Sequence, residues 1–147
     1  MKQAELFDID GTLLDHSSIR DNEPHLLAVE QRSAYNARAF DCPPHPHVVA
    51  AFRSCQRQGR LALIVTARER QFHDMTQSWL ARHALFPDGL WMRNTGDSQS
   101  DTTLKMGFLA EIRATHTVVK SWEDNPYVAK AYADYGIPTE LIPGWVE

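Results

Sequence analysis

The stretch Leu6-Phe7-Asp8-Ile9-Asp10-Gly11-Thr12-Leu13 decides how this chain is read. Residues 4–7 form a short apolar run that stops on two aspartates, one residue apart, followed by glycine. That is the profile of a buried strand emptying into a polar turn. The profile recurs along the chain. Leu61-Ala62-Leu63-Ile64-Val65 is a continuous apolar run, as expected of a strand covered on both faces, and it leads to Thr66 and Arg68. Gly89-Leu90-Trp91-Met92 leads to Arg93, residues 117–122 lead to Glu123-Asp124, and residues 139–142 close as a fifth, edge strand.

Between these runs the apolar residues take helical spacing. Val48, Val49, Ala51, Phe52 and Cys55 do so after the break at Pro43-Pro44-His45-Pro46, followed by Phe72, Met75, Trp79 and Leu80. Leu104, Phe108, Leu109 and Ile112 mark a third helix; Val128, Ala131, Tyr132 and Tyr135 mark a fourth, opened by Asn125 as cap and Pro126 in the first turn. Residues 24–40 are mixed and read as helical only in part. Strands alternating with helices predict an α/β fold, a parallel sheet between helices. The 147 residues suit one domain, 1–147, with room for a core.

Composition bounds the function. Hydrophobic residues make up 43% and charged residues 23%, a globular rather than a disordered balance. Fifteen Lys and Arg against nineteen Asp and Glu leave a net charge of −4, so extended nucleic-acid binding through bulk charge is not expected, although a short nucleic-acid end remains open as a substrate. No run is long and apolar enough for a membrane span, and Met1-Lys2-Gln3-Ala4-Glu5 does not read as a signal peptide. The two cysteines, Cys42 and Cys55, lack C-x-x-C spacing and are expected to be reduced, which gives a cytoplasmic expectation.

In an open sheet the ligand crevice lies at the carboxyl ends of the strands. Asp8 and Asp10, Thr66 and Arg68, Arg93, and Glu123-Asp124 all fall at such ends. Carboxylates gathered there repel one another and raise each other's pKa, a conflict that a divalent cation removes. Magnesium fits: a hard ion content with a few protein oxygens, water and a substrate phosphate. Taken singly, each aspartate reads better as a turn or cap residue; the reading rests on the set.

These residues resemble a family. Leu6 to Leu13, with its D-x-D-G-T, is similar to the first motif of the haloacid dehalogenase (HAD) superfamily of phosphohydrolases. Thr66, Lys105 and Glu123-Asp124 follow in that superfamily's order, so the likeness runs from residue 4 to about 126. The resemblance implies a Rossmann-like three-layer sandwich whose five-stranded parallel sheet has the order 5-4-1-2-3. It implies Asp8 as nucleophile, forming an aspartyl-phosphate, and Asp10 as the acid that protonates the leaving alcohol and then activates water. Superfamily members that displace halide from carbon lack an aspartate at that second position, so Asp10 points to phosphate chemistry. Thr66 would donate a hydrogen bond to a phosphate oxygen. Lys105 would neutralise the phosphoryl group and Asp8, from a first-turn position where the helix dipole disfavours a cation. Mg²⁺ would be held by Asp8, Asp124 and the backbone carbonyl of Asp10, with Glu123 acting through water. Gly11 permits a sharp turn, and amides near it and Thr12 would face phosphate oxygens.

The substrate is less constrained. Thr66 lies only 56 positions after Asp10 and Asp124 only 19 after Lys105, so no large cap domain fits, and an open site admits bulky esters. Arg93-x-x-Gly96-Asp97-x-x-x-Asp101-x-x-x-Lys105, with Thr66-Ala67-Arg68, is similar to the 3′-phosphatase domain of phage-type polynucleotide kinase-phosphatases. That resemblance implies Arg68, Arg93 and Asp97 as substrate-binding residues and a polynucleotide 3′-phosphate or a nucleotide as substrate. The sequence departs from the pattern at Asn125, where that family has arginine, and contains no G-x-x-x-x-G-K-[ST] of a kinase. A small sugar or metabolite phosphate stays open, as does a phosphate- or partner-binding module with little turnover. His45 and His47 read as surface residues rather than a zinc site, and His16 either lines the mouth of the site or sits in an exposed loop.

Overall fold

The computed structural model describes residues 1–146. Five strands, β1 (Lys2–Phe7), β2 (Leu61–Glu69), β3 (Gly89–Arg93), β4 (His116–Glu123) and β5 (Thr139–Leu141), pair in parallel in the order β3-β2-β1-β4-β5. Counted from the other edge, this is the 5-4-1-2-3 order expected from the resemblance. The helices are α1 (Ser17–Asn22), α2 (Arg32–Ala39), α3 (Pro46–Arg57), α4 (His73–Arg82), α5 (Asp101–Arg113) and α6 (Pro126–Asp134).

Alternation along the central strands sorts the core into two layers. Phe7, Ala62 and Ile64 pack with Val48, Phe52 and Cys55 of α3 and with Trp79 and Leu80 of α4. Ala4, Leu6, Leu63 and Val65 pack with Leu109 and Ile112 of α5 and with Val128 and Tyr132 of α6. Asp8 continues β1's alternation onto the α5 side, where Lys105 waits. The pairing of β1 with β4 matches Phe7 to Trp122, which brings Asp8 alongside Glu123 and Asp124.

Two features depart from the sequence reading. β2 does not stop at Val65 but continues to Glu69: Thr66 pairs with Met92 and Glu69 with Arg93, so Ala67 and Arg68 form a bulge between them. Bulges re-aim side chains next to active sites. The mixed segment, residues 24–40, resolves into two short 3₁₀ turns (Pro24–Leu27 and Val29–Gln31) and α2; with α1 ahead of them they make a small helical insertion that closes over the carboxyl ends of the strands. Among the described residues there is no large cap. Among the described residues no helix is long and apolar enough to cross a membrane, and Cys42 and Cys55 are buried and unpaired.

Candidate active site

A cleft of about 210 Å³ opens at the carboxyl end of the sheet. Its floor is built from the ends of β1 and β4. The Lys105 ammonium donates to Asp8 Oδ1 at 2.9 Å and to Glu123 Oε1 at 2.6 Å, while the Thr12 hydroxyl donates to Asp8 Oδ2 at 2.8 Å. Glu123 Oε2 accepts the backbone N–H groups of Asp124 (2.9 Å) and Asn125 (3.1 Å), which ties it to the start of α6. All of these residues are buried. One oxygen each of Asp8, Glu123 and Asp124 lies within 4.8 Å of the others.

Three carboxylates thus face one ammonium. Burial works against the charge on Lys105, but Asp8 and Glu123 outweigh it and hold its pKa well above the ordinary lysine value. Burial, then the charge of Asp8, pushes both Glu123 and Asp124 well above the carboxylate range. With all three carboxylates ionised, two negative charges stand unbalanced, the amount a dication supplies. The donor set, all hard oxygen, suits magnesium. Glu123 is Lys105's second partner, a contact that sequence reasoning did not anticipate.

Gly11 is required here for two reasons. Its φ is +81°, and a Cβ at this position would collide with the Asp124 carboxylate. Its N–H donates to Leu14 O at 2.9 Å, so the expected phosphate-facing amide is already engaged in the turn. Thr12, through its hydroxyl, holds Asp8.

Asp10 lies apart from that cluster, on the wall. Arg68, turned inward by the bulge, grips it with both arms of its fork: Nε to Oδ2 at 2.9 Å and Nη2 to Oδ1 at 2.7 Å. Its third donor goes to Thr76 Oγ1 at 3.1 Å, and the Arg68 amide donates to Thr66 Oγ1 at 3.1 Å, leaving that hydroxyl's own proton free of this bond. Burial opposes ionisation of Asp10, but the Arg68 charge and hydrogen bonds, helped by Tyr35, hold its carboxyl below the usual range. Arg68 therefore lines the cleft as Asp10's partner rather than as a free phosphate clamp.

Arg93 and Asp97 are not among the residues that line the cleft. Arg93 is wholly buried and donates to Ala67 O (3.0 Å), Asp97 O (3.1 Å), Gln99 O (2.6 Å) and the Asp101 carboxylate (2.8 Å). Asp97 accepts from the backbone and side-chain nitrogens of Gln99, both at 2.8 Å. Both residues fold the loop between β3 and α5, ahead of Lys105, instead of facing a ligand.

Sequence reasoning missed the inner face of α2. Arg32, Tyr35 and Asn36, spaced to share one face, line the cleft beside Leu27 and Val29 of the 3₁₀ turns, with Phe72 on the opposite side. The Tyr35 hydroxyl donates to Asp10 Oδ1 at 2.8 Å, and His16 Nδ1 lies 2.8 Å from that hydroxyl, so His16 belongs to the site. The one available signal was the i, i+3, i+4 spacing of three polar residues, which ordinarily marks a solvated face.

A family profile for the polynucleotide kinase PNKP phosphatase domain matches residues 2–141. No curated protein matches the chain. Solved structures of similar fold include a chain of the Pnkp1/Rnl/Hen1 complex, with TM-score 0.81 and 21% identity over all of this chain and 48% of that one. The class C acid phosphatase from Bacillus anthracis with tungstate bound gives TM-score 0.73 and 15% identity, over 97% of this chain and 66% of that one. A mutant of CbbY from Rhodobacter sphaeroides in complex with xylulose-(1,5)bisphosphate gives TM-score 0.64 and 14% identity, over 99% and 88%. At these identities the likeness is one of fold, and this chain spans about half the length of the matched chain of the Pnkp1/Rnl/Hen1 complex.

Proposed function

The chain belongs to the HAD family of polynucleotide kinase PNKP phosphatase domains, and from that premise we propose that it is a magnesium-dependent phosphomonoesterase working through an aspartyl-phosphate on Asp8, with a polynucleotide 3′-phosphate or a nucleotide as substrate. The observation that carries this reading is the buried floor, where Asp8 shares Lys105 with Glu123 beside Asp124.

Asp8, Asp124 and the Asp10 carbonyl would hold the metal, with the Glu123 carboxylate adjoining. When bound, the ion would neutralise charge on the transferring phosphoryl group. Lys105 holds Asp8 ionised and aimed. An Asp8 oxygen attacks phosphorus, the ester P–O bond breaks, and the leaving alkoxide takes a proton from Asp10. Asp10 takes up that proton from solvent as the substrate's phosphoryl oxygens compete for Arg68, and the later deprotonation of water returns it to the acid form. Water then gives a proton to the Asp10 carboxylate and attacks phosphorus, releasing inorganic phosphate and restoring Asp8. Thr66 donates its free hydroxyl proton to a phosphoryl oxygen. The similarity to a chain of the Pnkp1/Rnl/Hen1 RNA repair complex supports a nucleic-acid end as substrate, and two unpaired thiols support a reducing, cytoplasmic setting.

The test compares 3′-phosphorylated oligonucleotides, mononucleotides and sugar phosphates, each with magnesium and with chelator. Metal-dependent turnover that favours oligonucleotide ends is expected; preference for sugar phosphates overturns the substrate, and no turnover of any ester overturns the enzyme. Asp8→Asn is expected to lower kcat by at least about 10³-fold, as loss of a nucleophile does, while phosphate binding persists.

A further inference from the structure

Arg68 holds Asp10 in the resting cleft, and its guanidinium lines the same cleft that an incoming phosphoryl group would enter. Something else must orient Asp10 once that group competes for Arg68. We propose that Tyr35 and, through it, His16 are positioning residues for Asp10, so that the small helical insertion supplies part of the acid–base machinery. This rests on the reading of Asp10 given above.

Proton counting supports the assignment. A tyrosine hydroxyl has a single proton, and here it goes to Asp10 Oδ1 at 2.8 Å. The 2.8 Å contact between Tyr35 oxygen and His16 Nδ1 therefore places the hydrogen on Nδ1, with the imidazole as donor. The two rings meet edge to face, with centroids 6.0 Å apart and planes at 87°, which fixes both in direction. Tyr35 is 9% exposed and packed into the α3–α4 side of the core, so its hydroxyl has little freedom to leave. Because Tyr35 bonds Oδ1, Oδ2 is the oxygen left to carry the proton when Arg68 Nε departs.

An acid matters most when the leaving group is poor. An alkyl ester, such as a nucleoside 3′-phosphate, needs its alkoxide protonated, whereas p-nitrophenolate leaves without help. Tyr35→Phe is therefore expected to lower kcat/KM for a 3′-phosphorylated oligonucleotide by roughly 10–100-fold, and for p-nitrophenyl phosphate by less than about threefold, a fraction of what a full acid contributes. KM should change little for either, since neither residue meets the phosphate. His16→Ala should give the same leaving-group signature more weakly, and His16→Gln, which retains a donor, should restore most of the loss. Asp10→Asn is the reference and should show the signature most strongly. Equal losses on both esters from Tyr35→Phe and His16→Ala, or none on the alkyl ester, while Asp10→Asn keeps its signature, overturn the positioning role alone. An Asp10→Asn variant without the signature overturns the assignment of Asp10 and this inference with it.

Discussion

On the floor of the cleft two buried carboxylates, Asp8 and Glu123, share the ammonium of Lys105, with a third, Asp124, beside them; on the wall Asp10 has the guanidinium of Arg68 to itself. Both regions sit at the ends of adjacent strands, yet only the wall is balanced by its own residues. The Asp10 side chain is also 24% exposed, so water shares the work there. Balance on the floor has to come from outside the chain, as protons on the raised carboxyls or as a bound cation.

The largest effect expected from breaking this contrast is at Lys105. Lys105→Met removes the floor's single cation from a residue 3% exposed and leaves Asp8 and Glu123 facing each other. Breaking a buried pair in this way costs about 3–5 kcal/mol. Denaturant unfolding of the metal-free variant should show a loss of that size, together with turnover at or near background. A loss under about 1 kcal/mol, the range of exposed pairs, would place Lys105 in solvent contact and remove the contrast.

Metal binding sharpens the comparison. Burial, followed by the charges of Asp8 and Glu123, raises the Asp124 carboxyl from 3.8 to about 11. A carboxyl raised in the folded state favours folding while it holds its proton, so that contribution is complete below the unfolded value and is lost as pH rises toward the folded one. Without metal, thermal stability should fall between about pH 5 and pH 9, a window in which Asp10 stays ionised both folded and unfolded. Magnesium at 100 times its Kd should add about 2.7 kcal/mol and flatten that slope, since it takes the proton's place. Calorimetry should register proton release on binding at neutral pH. A metal-free midpoint that does not move with pH would show the floor to be balanced already.

The floor was the legible half. D-x-D-G-T after an apolar run, a lysine in a helix's first turns and an acidic pair after another run are local signals, and the strand order that joins them follows from the family pattern. Glu123 was legible as an acid but not as Lys105's partner, because that contact depends on where α5 lies against β4. The wall was largely illegible. Arg68 reaches Asp10 only through a bulge, and bulges carry no periodic signal. Tyr35, Asn36 and Arg32 sit on a helix of eight residues, Arg32–Ala39, flanked by 3₁₀ turns and too short for an apolar stripe to announce its buried face. Arg93 was read as a ligand clamp because an arginine at a strand end usually finds an anion; here backbone carbonyls of the following loop reach it first.

The smallest effect is expected on the wall. Arg68→Met takes from Asp10 two charge-assisted hydrogen bonds but leaves it Tyr35 and partial access to water. The cost should be about 1–2 kcal/mol at neutral pH, below that of Lys105→Met, because a carboxylate that water can reach is not stranded. Its pH dependence runs opposite to the floor's. Burial opposes the charge on Asp10, but Arg68 outweighs it and lowers the folded pKa below 3.8. The stability this confers is present above the unfolded value and disappears as pH falls through the folded one. The difference between native protein and Arg68→Met should therefore stay constant near neutrality and narrow below about pH 4, a trend that urea titrations at stepped pH can follow. A gap that persists unchanged into acid would mean that Arg68 stabilises through Thr76 and packing rather than through Asp10, and the wall would no longer be the electrostatically balanced partner of the floor.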